Sequence, residues 1–307
     1  MQATEKIWMN GELVDWDDAK VHVGVHGLHY GSGVFEGIRC YETPRGPAVF
    51  RLTDHMQRLH DSARLIHMTI PYSVDELKDA SNELLEANGL AECYLRPIAF
   101  SGYGQLGVSA RDNPIDTVIM SWPWGTYLGE EALRSGIRTK ISTWQRIPAN
   151  VIPHAAKATG VYLNSMLAVS EAQRAGYDEA IMLTPDGHIA DGPGETIFVV
   201  SKGKVFTPDL STGILHGITR DSIIQIAADL GYEVREKNLI RTDLYLADEV
   251  FMCGTAAEVT PVRSVDDYEI GVGPITLELQ NAYLDTVRGK SDRWAQWREL
   301  VPSMTRA

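Results

Sequence analysis

The sequence has few cysteines, no excess of basic residues and no long apolar run. Its three cysteines, Cys40, Cys93 and Cys253, are too scattered for a disulfide framework or a CxxC metal site. We therefore expect reduced thiols and a cytoplasmic location. The first residues carry no basic segment followed by an apolar one, and no uncharged apolar run approaches the roughly 18 residues that span a bilayer. Secretion and membrane insertion are not predicted.

The charge balance argues against nucleic acids and membranes as partners. Lys and Arg total 28 against 41 Asp and Glu, a net charge of -13, which repels nucleic-acid phosphates and anionic lipids. Hydrophobic residues make up 44% of the chain and charged residues 22%, values typical of soluble globular proteins. The 307 residues are enough for one large or two ordinary domains.

Local patterns predict a mixture of strands and helices. Asn10-Gly11 between apolar residues indicates a hairpin, and Ser73 with Glu76 forms a capping box that begins a helix. An earlier helix is predicted by apolar residues at helical spacing: Met56, Leu59, Ala63 and Ile66. Further helices are expected at 162–175, 220–230 and 275–287, and hairpins at 180–190 and 196–208. Strands and helices do not alternate regularly, which favours an α+β fold. We predict domains at 1–123 and 137–307, joined by a linker at 124–136.

Two motifs have weak functional interpretations. The run Gly102-Tyr-Gly104-Gln-Leu-Gly107 matches GxGxxG, but the next residues predict a turn and a strand instead of the helix that dinucleotide binding requires. Three histidines at 22, 26 and 29 have spacing that could converge on a metal. No cysteine or acidic fourth ligand is near, so a structural role is favoured and no metal is predicted.

Three segments suggest a phosphorylated aldehyde cofactor. Lys157 lies among alanines, where loss of solvation would favour the neutral amine that forms a Schiff base, although buried lysine stems often end in solvent. Residues 213–221 lead into a predicted helix whose first amides and Thr219 could bind an anion, or could simply cap that helix. Residues 254–258 again offer Gly-Thr amides after a predicted strand.

These motifs, taken in order, resemble the branched-chain amino-acid aminotransferases of the pyridoxal-phosphate fold type IV class. The resemblance covers nearly the whole chain and rests on segments 26–39, 55–60, 94–97, 150–162 and 254–258. It implies a two-domain α+β fold with pyridoxal 5'-phosphate at the domain interface. It also implies that Lys157 is the catalytic residue, which forms the Schiff base and moves a proton between the substrate Cα and the cofactor.

The resemblance also implies the binding residues. Those for the cofactor are Arg58, Lys157, Tyr162, Asp191, Glu195, Leu215, Ile218, Thr219 and Thr255. Those for the substrate are Tyr30, Phe35, Tyr94, Arg96, Val108, Trp124, Tyr127, Met252, Thr255 and Ala256. Arg96 and Tyr30 would receive the distal carboxylate of glutamate, with Tyr30 and Val108 supplied by a partner subunit. Asp191 stands where the family usually has Glu facing the pyridine nitrogen, and Glu195 is the other candidate.

The expected reaction is transamination between leucine, isoleucine or valine and 2-oxoglutarate. The alternatives on the same fold are a D-amino-acid or (R)-amine transaminase and a 4-amino-4-deoxychorismate lyase. A cofactor-storing binding protein is the alternative from another class, and the presence of Lys157 argues against it. The resemblance implies a homodimer as the smallest assembly and leaves a hexamer open.

Overall fold

The computed structural model describes residues 2–109, 111–125 and 129–306, which form two compact units. Unit 1 comprises Met1–Gly125, Ala156–Gly160 and Asp285–Ala307, and unit 2 comprises Thr126–Ala155 and Val161–Leu284. This division differs from the predicted domains because two segments expected in the C-terminal domain belong to unit 1. The predicted linker is also partly helical, from Glu130 to Ser135.

Eight helices and sixteen strands are assigned in the described residues. The helices are α1 (His26–Tyr30), α2 (Leu52–Leu65), α3 (Val74–Ala87), α4 (Glu130–Ser135), α5 (Tyr162–Arg174), α6 (Ile218–Asp229), α7 (Arg241–Tyr245) and α8 (Pro274–Val287). The strands are β1 (Lys6–Met9), β2 (Glu12–Asp15), β3 (Gly33–Phe35), β4 (Ile38–Tyr41), β5 (Ala48–Phe50), β6 (Cys93–Ser101), β7 (Ile115–Pro123), β8 (Ile137–Ile141), β9 (Glu179–Ile181), β10 (Thr196–Ser201), β11 (Lys204–Thr207), β12 (Val234–Glu236), β13 (Glu249–Gly254), β14 (Glu258–Val265), β15 (Tyr268–Glu269) and β16 (Arg298–Leu300).

Unit 1 contains an eight-stranded sheet in the order β16-β5-β4-β6-β7-β1-β2, with β3 paired to β6. The predicted hairpin at Asn10-Gly11 is confirmed, with Met9 opposite Glu12 and both turn residues at positive φ. The predicted helices α2 and α3 are also confirmed. The capping box of α3 is complete, because Glu76 N donates to Ser73 Oγ and Ser73 N donates to Glu76 Oε2.

Unit 2 contains a second eight-stranded sheet, in the order β12-β11-β10-β13-β14-β8-β9, with β15 paired to β14. The pairs β11–β12, β14–β8 and β8–β9 are parallel and the others are antiparallel. The predicted hairpin at 196–208 is confirmed as β10–β11. The one at 180–190 also forms: Ala190 N donates to Met182 O over 2.9 Å, Thr184 N donates to His188 O over 2.8 Å, and Leu183 bridges to Ile189, although only its first arm contains an assigned strand, β9. None of the described helices is long and apolar enough to cross a membrane.

Backbone pairing explains why Ala156–Gly160 belongs to unit 1. Phe35 N donates to Lys157 O over 3.0 Å, and Val34 forms an isolated bridge with Ala158. Thr159 Oγ1 donates to Gly31 O over 2.7 Å. The C-terminal segment belongs there for a similar reason, since β16 pairs with β5 at the edge of the sheet. These pairings join residues distant in sequence, so local patterns could not predict them.

The burial of α2 generates a stability prediction. Leu59 is 0% exposed and Leu65, on the same helix, is 43% exposed. We expect Leu59→Ala to lower the free energy of unfolding by about 2–5 kcal/mol, because it removes buried methyl groups and leaves a cavity. Leu65→Ala should cost much less. Urea unfolding monitored by circular dichroism compares the two, and equal losses would contradict the assigned burial.

Candidate active site

Lys157 is held in unit 1 through its own backbone. Its N–H donates to Ser62 Oγ over 3.0 Å, and its carbonyl accepts the Phe35 N–H. Its side chain is half-buried, with Nζ 5.1 Å from the centroid of the Phe35 ring. Because the backbone is held on both sides, the direction of the side chain is restricted.

A buried carboxylate lies next to Phe35 and orients two basic side chains of α2. Glu36 is fully buried; its Oε1 accepts from Arg58 Nε and its Oε2 from Arg58 Nη2, each over 2.7 Å. Oε2 also accepts from His55 Nδ1 over 2.7 Å. Burial raises the pKa of Glu36, but Arg58 and His55 outweigh this effect and hold its pKa well below the usual range. Burial also lowers the pKa of His55. Glu36 is therefore an anion that fixes the Arg58 guanidinium.

Aromatic side chains of β3, β6 and the end of β7 surround Arg96. Its guanidinium lies 4.7 Å from the Phe35 ring centroid and 5.4 Å from that of Tyr94. The Tyr94 ring also contacts Trp122 and Trp124, at centroid distances of 5.2 and 4.9 Å. Arg96 Nε is buried and has no hydrogen-bond partner in the described part of the chain. A buried guanidinium nitrogen of this kind is suited to an anionic ligand.

Two other predicted substrate residues project from the surface of unit 1. Tyr30 at the end of α1 is 49% exposed, and Val108 is 91% exposed. Val108 follows the GxGxxG match, and of the described residues after it, 111 and 112 form a turn and β7 begins at Ile115, in agreement with the predicted turn and strand. The dinucleotide interpretation is thus not supported. Tyr127 lies outside the described residues.

In unit 2, Asp191 is bound by an arginine. Arg146 Nε donates to Asp191 Oδ1 over 2.7 Å, and Arg146 Nη2 lies 2.5 Å from the same oxygen. Arg146 Nη1 donates to Ser165 Oγ over 3.1 Å, and Nη2 donates to Gly192 O over 2.6 Å. Arg146 is itself buried, so its contacts fix both the carboxylate and the backbone that follows it.

Glu195, the other candidate for the pyridine nitrogen, has a different environment. Its Oε2 accepts from Gly194 N over 3.0 Å, and its backbone carbonyl accepts from Gly192 N over 2.8 Å. Burial and the neighbouring Glu195 raise the pKa of Glu179 to about 9. Glu195 thus lies near a second buried acid, Glu179.

The remaining predicted residues of unit 2 lie at element ends or in its core. Ile218 and Thr219 begin α6 and are buried, and Leu215 is half-buried just before that helix. Thr255 and Ala256 form the turn between β13 and β14 and are half-buried. Tyr162 is the first residue of α5. Met252 is fully buried in the hydrophobic core of unit 2.

Each unit, taken by itself, holds groups whose chemistry suits part of a phosphorylated aldehyde with a basic ring nitrogen. In unit 1, the Lys157 amine is suited to an aldehyde and the oriented Arg58 guanidinium to a phosphate. In unit 2, the start of α6 with Thr219 is suited to a phosphate, and the carboxylate of Asp191 is suited to a protonated ring nitrogen.

Sequence reasoning missed the residues that orient these groups. Glu36 lies in the Phe35-Glu-Gly stretch that carries the resemblance, but the sequence analysis assigned it no role. Its place in that motif was the signal that could have identified it. No sequence signal identified Arg146, because it precedes Asp191 by 45 residues and the two meet only in the folded structure.

The chain is similar over nearly its whole length to known aminotransferases. Residues 33–265 match the family model described as "Amino-transferase class IV". A curated relative, the branched-chain-amino-acid aminotransferase of Escherichia coli K12, is 50% identical over 300 residues, covering 96% of this chain and 97% of the relative.

Two solved structures have the same fold. The crystal structure of the Escherichia coli branched-chain amino acid aminotransferase has a TM-score of 0.95 at 50% identity, covering 97% of this chain and 99% of that chain. The branched-chain amino acid aminotransferase from Thermobaculum terrenum, solved in its PLP-form, has a TM-score of 0.92 at 39% identity, covering 98% of this chain and 99% of that chain. The predicted family and α+β fold class are confirmed. The chain belongs to the branched-chain-amino-acid aminotransferases of the class IV aminotransferase family.

Proposed function

We propose that this chain transfers the amino group of leucine, isoleucine or valine to 2-oxoglutarate, giving branched-chain 2-oxo acids and L-glutamate, with pyridoxal 5'-phosphate as cofactor. The observation that carries the proposal is the fixed position of Lys157 beside Phe35. The chain that holds this lysine is 50% identical to the branched-chain-amino-acid aminotransferase of Escherichia coli K12. The relatives' shared name favours this reaction over the D-amino-acid, (R)-amine and lyase alternatives.

We assign the cofactor contacts by the chemistry of each side chain. Arg58, Ile218, Thr219 and Thr255 would bind the phosphate, and Leu215 would pack near it. Tyr162 would donate to the phenolic oxygen. Asp191 would face the pyridine nitrogen, since Arg146 keeps its carboxylate oriented, with Glu195 as the second candidate. An anion at that nitrogen favours its protonated form.

Lys157 has two roles in this proposal. Pyridoxal 5'-phosphate supplies, when bound, an aldehyde that accepts an amino group and a ring that withdraws electrons from the substrate Cα. The Lys157 amine would be the attachment point for that aldehyde. Once displaced, the same amine would take the proton from the substrate Cα, as a general base must lie within hydrogen-bond reach of that proton.

One substrate pocket must accept both an apolar and an acidic side chain. Phe35 and Trp124 would contact the apolar chain, together with Tyr127 and Val108 of the partner subunit. Met252, predicted to do the same, has no exposed surface and would only support the pocket from the core of unit 2. Tyr94 and the amides of Thr255 and Ala256 would bind the α-carboxylate. Arg96 and Tyr30 would bind the distal carboxylate of glutamate, because a buried carboxylate without a partner is too costly.

We propose a homodimer as the smallest assembly, with a hexamer still open. The exposure of Tyr30 and Val108 supports this, since apolar side chains that line a substrate pocket should be covered in the working enzyme. We also propose a cytoplasmic location, supported by three buried cysteines that are free thiols.

Lys157→Ala should reduce transamination by about 10²–10⁴-fold or more, because it removes the attachment point and the general base together. A coupled assay with leucine and 2-oxoglutarate measures this, and added methylamine should restore part of the rate. The control is Lys290→Ala, an exposed lysine that pairs with Asp285 at 3.6 Å. Near wild-type turnover of Lys157→Ala without added amine would refute the assignment.

Asp191→Asn should slow the amino-acid half-reaction by roughly tenfold or more while the cofactor remains bound, since an amide does not favour a protonated ring nitrogen. Stopped-flow absorbance gives the half-reaction, and titration of the apoprotein gives cofactor affinity. Glu195→Gln is the matched comparison. A silent Asp191→Asn together with a crippled Glu195→Gln would transfer the role to Glu195.

Arg96→Leu should weaken the reaction with glutamate or 2-oxoglutarate by roughly 3–5 kcal/mol, the cost of removing one partner of a buried charge pair. Leucine should lose much less, because its methyl groups do not need the guanidinium. Arg138→Leu is the control, as that guanidinium lies 4.9 Å from the Tyr177 ring in a similar stacking contact. Equal losses for both substrates would show that Arg96 has another role.

A further inference from the structure

The histidines at 22, 26 and 29 and the GxGxxG match have no role in the proposed reaction, yet they lie together in unit 1. The loop Gly102–Val108, here called the glycine loop, packs beside α1. His26 N donates to Gly102 O over 3.2 Å, and Val25 bridges to Tyr103. The His22 ring contacts the Tyr103 ring edge-on, at a centroid distance of 4.7 Å.

His26 is the buried centre of this contact, and both of its ring nitrogens are bonded. It is 4% exposed; Nε2 lies 2.8 Å from Gly107 O, and Nδ1 lies 2.7 Å from Ser32 Oγ. A carbonyl only accepts, so Nε2 carries a proton and donates to Gly107 O, and in the neutral ring Nδ1 accepts from the Ser32 hydroxyl. The ring also stacks on Tyr30, with centroids 4.5 Å apart and planes 28° apart.

Through these contacts His26 connects the two backbone segments that carry the exposed side chains of Tyr30 and Val108. Tyr30 stacks on His26 directly, and Val108 follows the carbonyl that His26 binds. The middle of the glycine loop is held separately by Asn113, whose Oδ1 accepts from Gln105 N over 2.8 Å and whose Nδ2 donates to Gln105 O over 3.1 Å. The side chains of Tyr30 and Val108 therefore project to the outside from a support that is held on both sides.

We propose that His26 is a positioning residue for substrate recognition, which holds Tyr30 and Val108 in one fixed arrangement. The inference rests on the proposed function, in which these two side chains enter the substrate pocket of the partner subunit. His26 touches neither substrate nor cofactor in this account. His26 restricts the conformations of the two side chains before the substrate binds, so less conformational entropy is lost on binding. This improves the affinity for the substrate without changing the chemical step.

Three variants separate the contacts of His26. His26→Phe keeps a ring against Tyr30 and removes both hydrogen bonds, whereas His26→Gln retains an N–H that can reach the Gly107 carbonyl. Ser32→Ala removes only the Nδ1 contact. The control is His29→Gln on the same helix, because His29 is exposed and its Nε2 lies 2.8 Å from Val23 O. Since Ser32 and Gly107 are partly exposed, water can replace the lost partner and the variants should fold.

The measurements are KM and kcat for 2-oxoglutarate and leucine, cofactor affinity of the apoprotein, and hydrogen exchange of the glycine-loop amides. His26→Phe should raise KM for 2-oxoglutarate by about five- to tenfold, with kcat within about twofold, the size expected when a hydrogen bond that holds the binding residues in place is lost. Leucine should lose less, exchange in the loop should quicken, and cofactor affinity should not change. His26→Gln should recover most of the KM, and His29→Gln should match the wild type.

The outcomes distinguish this inference from the proposed function. Failure of the wild type to use leucine and 2-oxoglutarate would refute the proposed function. If Tyr30→Phe raises KM for 2-oxoglutarate but His26→Phe does not, the function stands and the role of His26 is wrong. A fall of kcat and cofactor affinity with unchanged KM would also overturn the inference, because it would mean that His26 only supports the fold.

Discussion

The position of the Lys157 amine depends on the backbone pairing between β3 and the segment that carries this lysine. A lysine on a free segment would point its amine to water and would lose much conformational entropy on binding a ligand. Here the carbonyl of Lys157 accepts from Phe35 N and its N–H donates to Ser62 Oγ, so the amine is held near the Phe35 ring before any ligand binds. Because of the same pairing, Ala156–Gly160 belongs to unit 1, although the residues before and after it in sequence belong to unit 2.

Each unit also contains one buried ion pair that orients a group assigned to the cofactor. In unit 1 the carboxylate of Glu36 fixes the guanidinium of Arg58, and in unit 2 the guanidinium of Arg146 fixes the carboxylate of Asp191. Burying such pairs costs desolvation energy that their attraction need not recover, so they are poor stabilisers of the fold. They are well suited to preorganisation, because a charge that is already oriented needs no rearrangement when the ligand arrives.

Local signals in the sequence were enough for much of the fold and for the residue types of the site. Asn10-Gly11 and the capping box of Ser73 and Glu76 act over a few residues, and the structure has both as predicted. Two features could not be predicted from local patterns, because they depend on contacts between residues distant in sequence. They are the place of Lys157 in unit 1 and the pairing of Arg146 with Asp191. A structural role is predicted for the histidines at 22, 26 and 29, and the ring nitrogens of His26 and His29 contact neighbouring protein groups.

The central claim, that Lys157 is the attachment point for the cofactor, can be measured without any turnover. Borohydride reduction of the protein saturated with pyridoxal 5'-phosphate makes a bond between the cofactor and a protein amine permanent, and peptide mapping by mass spectrometry then locates it. We predict a single modified peptide that contains Lys157, and its loss in Lys157→Ala. Modification of a different lysine, such as Lys140, or the same labelling in the variant, would contradict the account.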